Sequence, residues 1–234
     1  MHEPQVAHFS IPRNPDSANA DAFSFFCRPD GAFFFTLADG VGKSEYGPAA
    51  AQSSVAVAKS FAFDVKVFDI FEAARTSLVA AASKTPGHVW STTLTFCRVQ
   101  NGIAEVGHVG DARLYHLRGA GIITRTKDQT EVQALIDEGV LSKERAKKYP
   151  RRNVLLSAIS SDSTFELSTS KFEIQEKDRL LLVSDGIYKQ IQRKEIAGIS
   201  ATAKTPSDFL SALSELLQSR GIHDDSTAVC VEFN

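Results

Sequence analysis

The sequence predicts an α+β protein in which antiparallel sheets are overlaid by helices. Three observations carry that expectation. Short apolar runs joined by tight turns imply strand hairpins, and hairpins build antiparallel sheets. A long stretch of helical periodicity then interrupts the strands. The strand pattern resumes beyond it, so the helices must stack on sheets to bury their apolar faces.

The elements follow in order. Residues 22–27 and 32–38 form a strand pair joined by Arg28-Pro29-Asp30-Gly31, a turn composition. Ala51, Val55, Ala58 and Ala62 share one face of a helix that opens near Gly47-Pro48, with proline in its first turn. Val67, Ile70, Phe71, Ala74, Leu78 and Ala81 mark a second helix, stopped by Thr85-Pro86-Gly87. Strands are expected at 91–99, 103–109 and 112–118, with Asn101-Gly102 as a hairpin turn. Residues 130–149 are charged and helical, broken at Gly139. The core resumes at Val154 and again over 171–184, read as one strand. Phe209, Leu210, Leu213, Leu216 and Leu217 mark a last helix, and 226–233 a last strand. Phe68, Phe71 and Phe209 are expected in the core, Trp90 in packing, and His108 as a buried, hydrogen-bonded histidine.

Composition narrows the class. A chain of 234 residues suits one domain, and 43% hydrophobic with 23% charged residues is ordinary for a globular protein. A net charge of −2 gives no footprint for nucleic acid or a membrane surface. No apolar run is long enough to span a bilayer, and Met1 to Asp21 lacks the pattern of a signal peptide. Cys27, Cys97 and Cys230 are odd in number and widely spaced, which suits free thiols in a reducing compartment. The expectation is a cytoplasmic protein with no nucleic-acid and no membrane partner.

Three apolar runs end on an aspartate: 32–38 runs into Asp39-Gly40, 106–110 into Asp111, and 180–184 into Asp185-Gly186. Asp224-Asp225 inverts the order and leads into the strand-like 226–231. Each Asp-Gly pair alone reads as a turn. The set says more, because carboxylates at strand ends can converge on one rim of a sheet. Carboxylates that close repel one another unless cations sit between them. An all-oxygen donor set favours Mg²⁺ or Mn²⁺. The first hypothesis is therefore a polynuclear metal site for phosphate chemistry.

The motifs around these aspartates stand in a fixed order. They are Asn19-Ala20-Asp21, Ala38-Asp39-Gly40-Val41-Gly42, Ser91-Thr92-Thr93-Leu94, Val109-Gly110-Asp111-Ala112-Arg113, Thr126-Lys127-Asp128-Gln129-Thr130, Gly139 through Pro150 to Leu155, Ser184-Asp185-Gly186, and Asp224-Asp225-Ser226-Thr227. Together they resemble the metal-dependent serine/threonine protein phosphatases of the protein phosphatase 2C (PPM) family, in their compact bacterial form. The resemblance implies a four-layer αββα sandwich forming a single phosphatase domain over 1–234, with a small helical flap at about 130–153. It implies that Asp21, Asp39, Asp185 and Asp224, with the Gly40 carbonyl, hold two Mn²⁺ or Mg²⁺ ions, Asp39 bridging them. Asp111 would serve a weaker third site. Asp39, Asp185 and Asp224 would act in catalysis through a metal-bridging water that attacks the phosphorus of phosphoserine or phosphothreonine. A phosphorylated protein would be the substrate, and a cognate Ser/Thr kinase a partner.

Four departures from the family pattern stand out. Asp16 occupies the place of an arginine, and Arg13, three residues upstream, is the candidate phosphate contact. Val41 stands where eukaryotic members often carry a histidine, and Gln129 replaces a histidine after Asp128. Lys189 takes the place of an acid and is expected to weaken the third metal, pairing with Asp111 or else pointing to solvent from a Lys189–Arg193 helical turn. These departures leave an alternative: a catalytically weak or inactive relative that binds phosphoproteins or regulates a kinase. An amidohydrolase with an N-terminal nucleophile is set aside, since Met1-His2-Glu3 offers none.

Overall fold

Alternate side chains of a strand point to opposite faces. An unbroken apolar run therefore needs a covering layer on each side, and this chain supplies both. The computed structural model describes residues 4–28, 31–42, 44–61 and 65–233. Its elements begin with β1 (Gln5–Ile11), β2 (Asp21–Cys27), β3 (Phe33–Asp39), α1 (Tyr46–Phe61) and α2 (Val67–Ala82). Next come β4 (Ser91–Thr92), β5 (Leu94–Gln100), β6 (Ile103–Val109), β7 (Arg113–Arg118) and β8 (Gly121–Thr124). The short helices α3 (Glu131–Asp137) and α4 (Lys143–Ala146) precede β9 (Ile159–Ser160), β10 (Ser168–Glu173) and β11 (Arg179–Val183). Then follow α5 (Asp185–Tyr188), α6 (Arg193–Thr202), α7 (Pro206–Arg220) and β12 (Ser226–Glu232).

Two five-stranded sheets form, ordered β1-β12-β11-β7-β8 and β10-β6-β5-β3-β2, with antiparallel neighbours throughout. Phe33, Phe35 and Leu37 of β3 meet Leu180, Leu182, Val229 and Val231 between the sheets. The alternate residues Phe34 and Ala38 face α1 and α2, packing with Val55, Ile70, Phe71 and Leu78. On the other sheet Leu181, Val183 and Cys230 turn outward onto Phe209, Leu213 and Leu217 of α7. The result is the expected αββα stack of four layers. Cys97 and Cys230 are buried free thiols, and burial pushes Cys230 up to about 12.

Several expectations need correction. β1 lies in a segment that carried no strand expectation, and it pairs along its whole length with β12. The run 171–184 is two strands in different sheets. β10 joins β6, β11 joins β7 and β12, and the turn between them carries Lys177 at φ 65°. β8, α5 and α6 were also not expected. Phe71 and Phe209 are fully buried, but Phe68 is 53% exposed, one position off the buried stripe of α2. No helix spans Lys189–Arg193: α5 ends at Tyr188 and α6 starts at Arg193. Pro29, Asp30 and Ala62 lie outside the described residues. Gly139 does break the helical segment, with φ 72° just beyond the C-cap of α3.

Candidate active site

The carboxylates converge because antiparallel neighbours put the end of one strand beside the start of the next. Asp21 opens β2 and Asp39 closes β3, and the two are register partners. Asp185 follows β11, Asp224 and Asp225 precede β12, and Asp111 follows β6. Two hydrogen bonds tie the sheets together at this rim. Ser184 donates its hydroxyl to Asp21 Oδ2 at 2.7 Å while accepting from the Thr227 amide at 2.9 Å. Asp225 Oδ2 accepts from the Ala20 amide at 2.7 Å. Its other oxygen accepts from the Arg13 amide at 2.7 Å, so one carboxylate pins both ends of the loop leading to Asp21.

Each functional side chain has a local support. Thr93 holds the Asp39 backbone from both sides: its amide donates to the Asp39 carbonyl at 2.8 Å and its hydroxyl accepts from the Asp39 amide at 2.9 Å. Tyr188 donates to Asp111 Oδ2 at 2.9 Å, and Arg113 stacks over the Tyr188 ring at 3.8 Å. Asp128 fixes Arg113 with two bonds of 2.9 and 2.7 Å. Gln129 clamps the loop before Asp111, accepting from the Gly110 amide at 2.8 Å and donating to the Glu166 carbonyl at 2.8 Å. This gives Gln129 a structural task at the position of the family's histidine.

Two glycines permit the approach of these motifs. A Cβ on Gly186 would lie 2.2 Å from the Asp225 carbonyl oxygen, so glycine lets the Asp185 turn close on the Asp224-Asp225 loop. A Cβ on Gly40 would lie 2.3 Å from the Gly47 backbone at the start of α1. The tightness at Gly40 therefore comes from α1.

The electrostatics follow from burial and crowding. Burial raises Asp21 to about 7 despite the Ser184 hydrogen bond. Burial raises Asp39 well above the usual range, and Asp21, Asp185, Asp111 and Asp224 add repulsion. Asp111 rises to about 6 through burial and Asp185. Asp224 is raised by burial and by Asp185. Asp21 Oδ1 is buried and finds no hydrogen-bond partner among the described residues. Among the described residues no three of these groups are drawn in around a common point. A buried oxygen without a donor, inside a crowd of mutually repelling carboxylates, nonetheless fits a hard divalent cation.

The expected site residues fare differently. Asp21, Asp39, Gly40, Asp111, Asp185 and Asp224 all come to this rim. Arg13 reaches it through its backbone amide, and its exposed guanidinium makes no side-chain bond among the described residues. Lys189 bonds Asp185, four residues back, and not Asp111, whose partner is Tyr188. The i,i+4 spacing signals that pair. Tyr188 and Ser184 were not anticipated as supports. Tyr188 is legible as a helical neighbour of Asp185, but the Ser184 partner lies 163 residues away and leaves no local signal. His108 is buried as expected, bonded to Thr95 at 2.8 Å, and burial lowers it to about 4. Trp90 packs near Tyr46 and donates to Thr85.

Residues 139–234 match the family model described as Stage II sporulation protein E (SpoIIE). Over 228 residues the chain is 27% identical to the serine/threonine phosphatase stp of Listeria welshimeri, covering 92% of this chain and 90% of that protein. The solved structure of the Mycobacterium tuberculosis serine/threonine phosphatase PstP/Ppp superposes with a TM-score of 0.87 at 27% identity, covering 99% of each chain. The catalytic domain of PstP in complex with 2 manganese ions gives 0.81 at 26% identity, covering 98% of this chain and 97% of that one. With its motifs in register along one rim of an αββα stack, and with these likenesses spanning nearly its whole length, the chain resembles the bacterial serine/threonine phosphatases of the protein phosphatase 2C (PPM) family.

Proposed function

We propose that this chain hydrolyses phosphoserine and phosphothreonine in proteins, with Mn²⁺ or Mg²⁺ held by the rim carboxylates. The observation that carries the reading is the unpartnered buried oxygen of Asp21 beside the crowded Asp39. Asp21, Asp39, Asp185 and Asp224, with the Gly40 carbonyl, are the ligands for two ions, and Asp111 serves a weaker third site. Bound there, divalent ions acidify water and neutralise phosphate charge. The chain's own groups do the positioning. Ser184 orients Asp21, Tyr188 orients Asp111, and Thr93 fixes the Asp39 backbone. Arg13 offers an unengaged guanidinium on a loop that Asp225 pins at the rim, a suitable phosphate contact. The proposed setting is one phosphatase domain over 1–234, in the cytoplasm, opposite a kinase that modifies the same substrates. Among the described residues no helix is long and apolar enough to cross a membrane. The inactive-relative alternative is not favoured, because the expected carboxylates are present and the related chains are named phosphatases. Hydrolysis of a phosphothreonine peptide with Mn²⁺, and its loss with EDTA, tests the reading. Equal turnover in both conditions would refute it.

Lys189 bears on metal loading. Its ammonium occupies a carboxylate oxygen of Asp185, and a cation must displace it. Lys189→Ala should lower the Mn²⁺ concentration for half-activation by about two- to fivefold, the scale of a partly exposed ion pair. An unchanged Mn²⁺ activation curve would show that the pair does not compete with metal.

We read residues 130–153 as a flap over the cleft. α3 and α4 bury only Ala146, and Tyr149 and Arg151 tie the segment's return to Glu131. Replacing residues 132–148 by a short Gly-Ser linker should lower kcat/KM on phosphopeptides by about tenfold, the scale of a lost apolar contact. Turnover of a small aryl phosphate should be spared. Equal losses on both substrates would contradict the flap role.

A further inference from the structure

A cavity of about 740 Å³ lies between the segment after Asp39-Gly40 and the return of the 130–153 segment. Its volume is that of a pocket for several side chains. Val41, Val89 and Leu156 line it and stand 36%, 49% and 61% exposed. Large apolar residues gathered in one concave patch mark a place where another molecule buries them. One wall is stiffened by Tyr46 stacked on His88, with ring centroids 4.5 Å apart.

Both walls are held in register with the carboxylates. On one side the Val41 amide donates to the Ser91 carbonyl at 2.9 Å, Gly40 bridges Thr92, and the Thr92 hydroxyl donates to the Asp39 carbonyl. On the other the Leu156 amide donates to the Gln129 carbonyl at 2.8 Å. The Gln129 amide donates to the Gly110 carbonyl at 2.8 Å, one residue before Asp111. A group seated in the cavity is thus fixed relative to both Asp39 and Asp111.

We infer that this cavity receives an apolar side chain of the phosphorylated substrate, adjacent in sequence to the residue being dephosphorylated. Val41, Val89 and Leu156 are the specificity-determining contacts. The occupant is a segment of phosphoprotein because the cavity wall begins at Val41, two residues past Asp39, and a chain whose phosphate sits at the carboxylates must run on past it. The inference rests on the proposed phosphatase activity and adds to it a substrate class: phosphosites flanked by leucine, valine or a similar residue.

The test is steady-state kinetics with Mn²⁺ on phosphothreonine peptides that carry leucine or alanine at each neighbouring position, with p-nitrophenyl phosphate as control. The wild-type protein should favour one leucine peptide over its alanine counterpart by about tenfold in kcat/KM, through KM. The Val89→Ala/Leu156→Ala double variant should lose that preference while its aryl phosphate turnover stays within about twofold, which also shows that it is folded. Leu156→Met should keep the preference. A wild type without preference, or a double variant that retains it, overturns the inference while leaving the activity standing. A wild type that turns over neither peptide nor aryl phosphate overturns the activity and the inference with it.

Discussion

Asp39→Asn should lose Mn²⁺-dependent hydrolysis by more than about a hundredfold, the upper end of what disturbing even a ligand's outer partners costs. The same variant should melt no lower than the wild type in the absence of metal. Asp39 is buried and repelled by Asp21, Asp185, Asp111 and Asp224. An amide keeps its shape and removes the charge. The sign of the pH dependence follows. The folded state holds Asp21 at about 7 and Asp111 at about 6, above the ordinary carboxylate range. The fold therefore binds protons that the unfolded chain releases, and stability is lost as pH rises through those values. The metal-free wild type should melt lower at pH 8 than at pH 6, the difference should shrink in Asp39→Asn, and Mn²⁺ should restore the melting temperature at pH 8. Thermal melts with and without Mn²⁺ read all three. A variant with near-normal turnover would remove Asp39 from the metal site.

Gly186→Ala should combine a stability loss with an activity loss. The added methyl would stand 2.2 Å from the Asp225 carbonyl oxygen and 2.5 Å from Ser226 Oγ. Backbone must move to admit it, at a cost of about 1–3 kcal/mol. The movement separates Asp185 from the Asp224-Asp225 loop, and a misplacement near an ångström costs about a hundredfold in rate. The variant should melt lower and turn over both peptide and aryl phosphate slowly, because the fault lies at the carboxylates. A variant that melts and turns over like the wild type would show that this contact yields freely.

The parts of the fold that were legible share one cause. β3 and β11 are covered on both faces, so Phe33 to Ala38 and Leu180 to Val183 read as unbroken apolar runs. The aspartates at their ends were legible because each interrupts such a run. β1 was not, because it is an edge strand with no buried position, and its pairing with β12 joins residues more than 200 positions apart. The split of 171–184 was hidden because the turn between its strands, 174–178, is short and begins on the buried Ile174. Phe68 follows Val67, which is buried, and composition could not place it off the stripe. At the site, motif order brought the carboxylates to one rim. It did not disclose Ser184 on Asp21 or Asp225 on the Arg13–Ala20 loop, since those bonds join the two sheets through tertiary packing.

In the proposed function the rim carboxylates hold the divalent ions on which hydrolysis depends. Calorimetric titration of Mn²⁺ into the metal-free wild type and into Asp39→Asn, at one neutral pH, tests it without relying on any substrate. The wild type should bind Mn²⁺ saturably, and the variant should lose that binding or weaken it by more than about tenfold. Equal stoichiometry and affinity in the two proteins would contradict it.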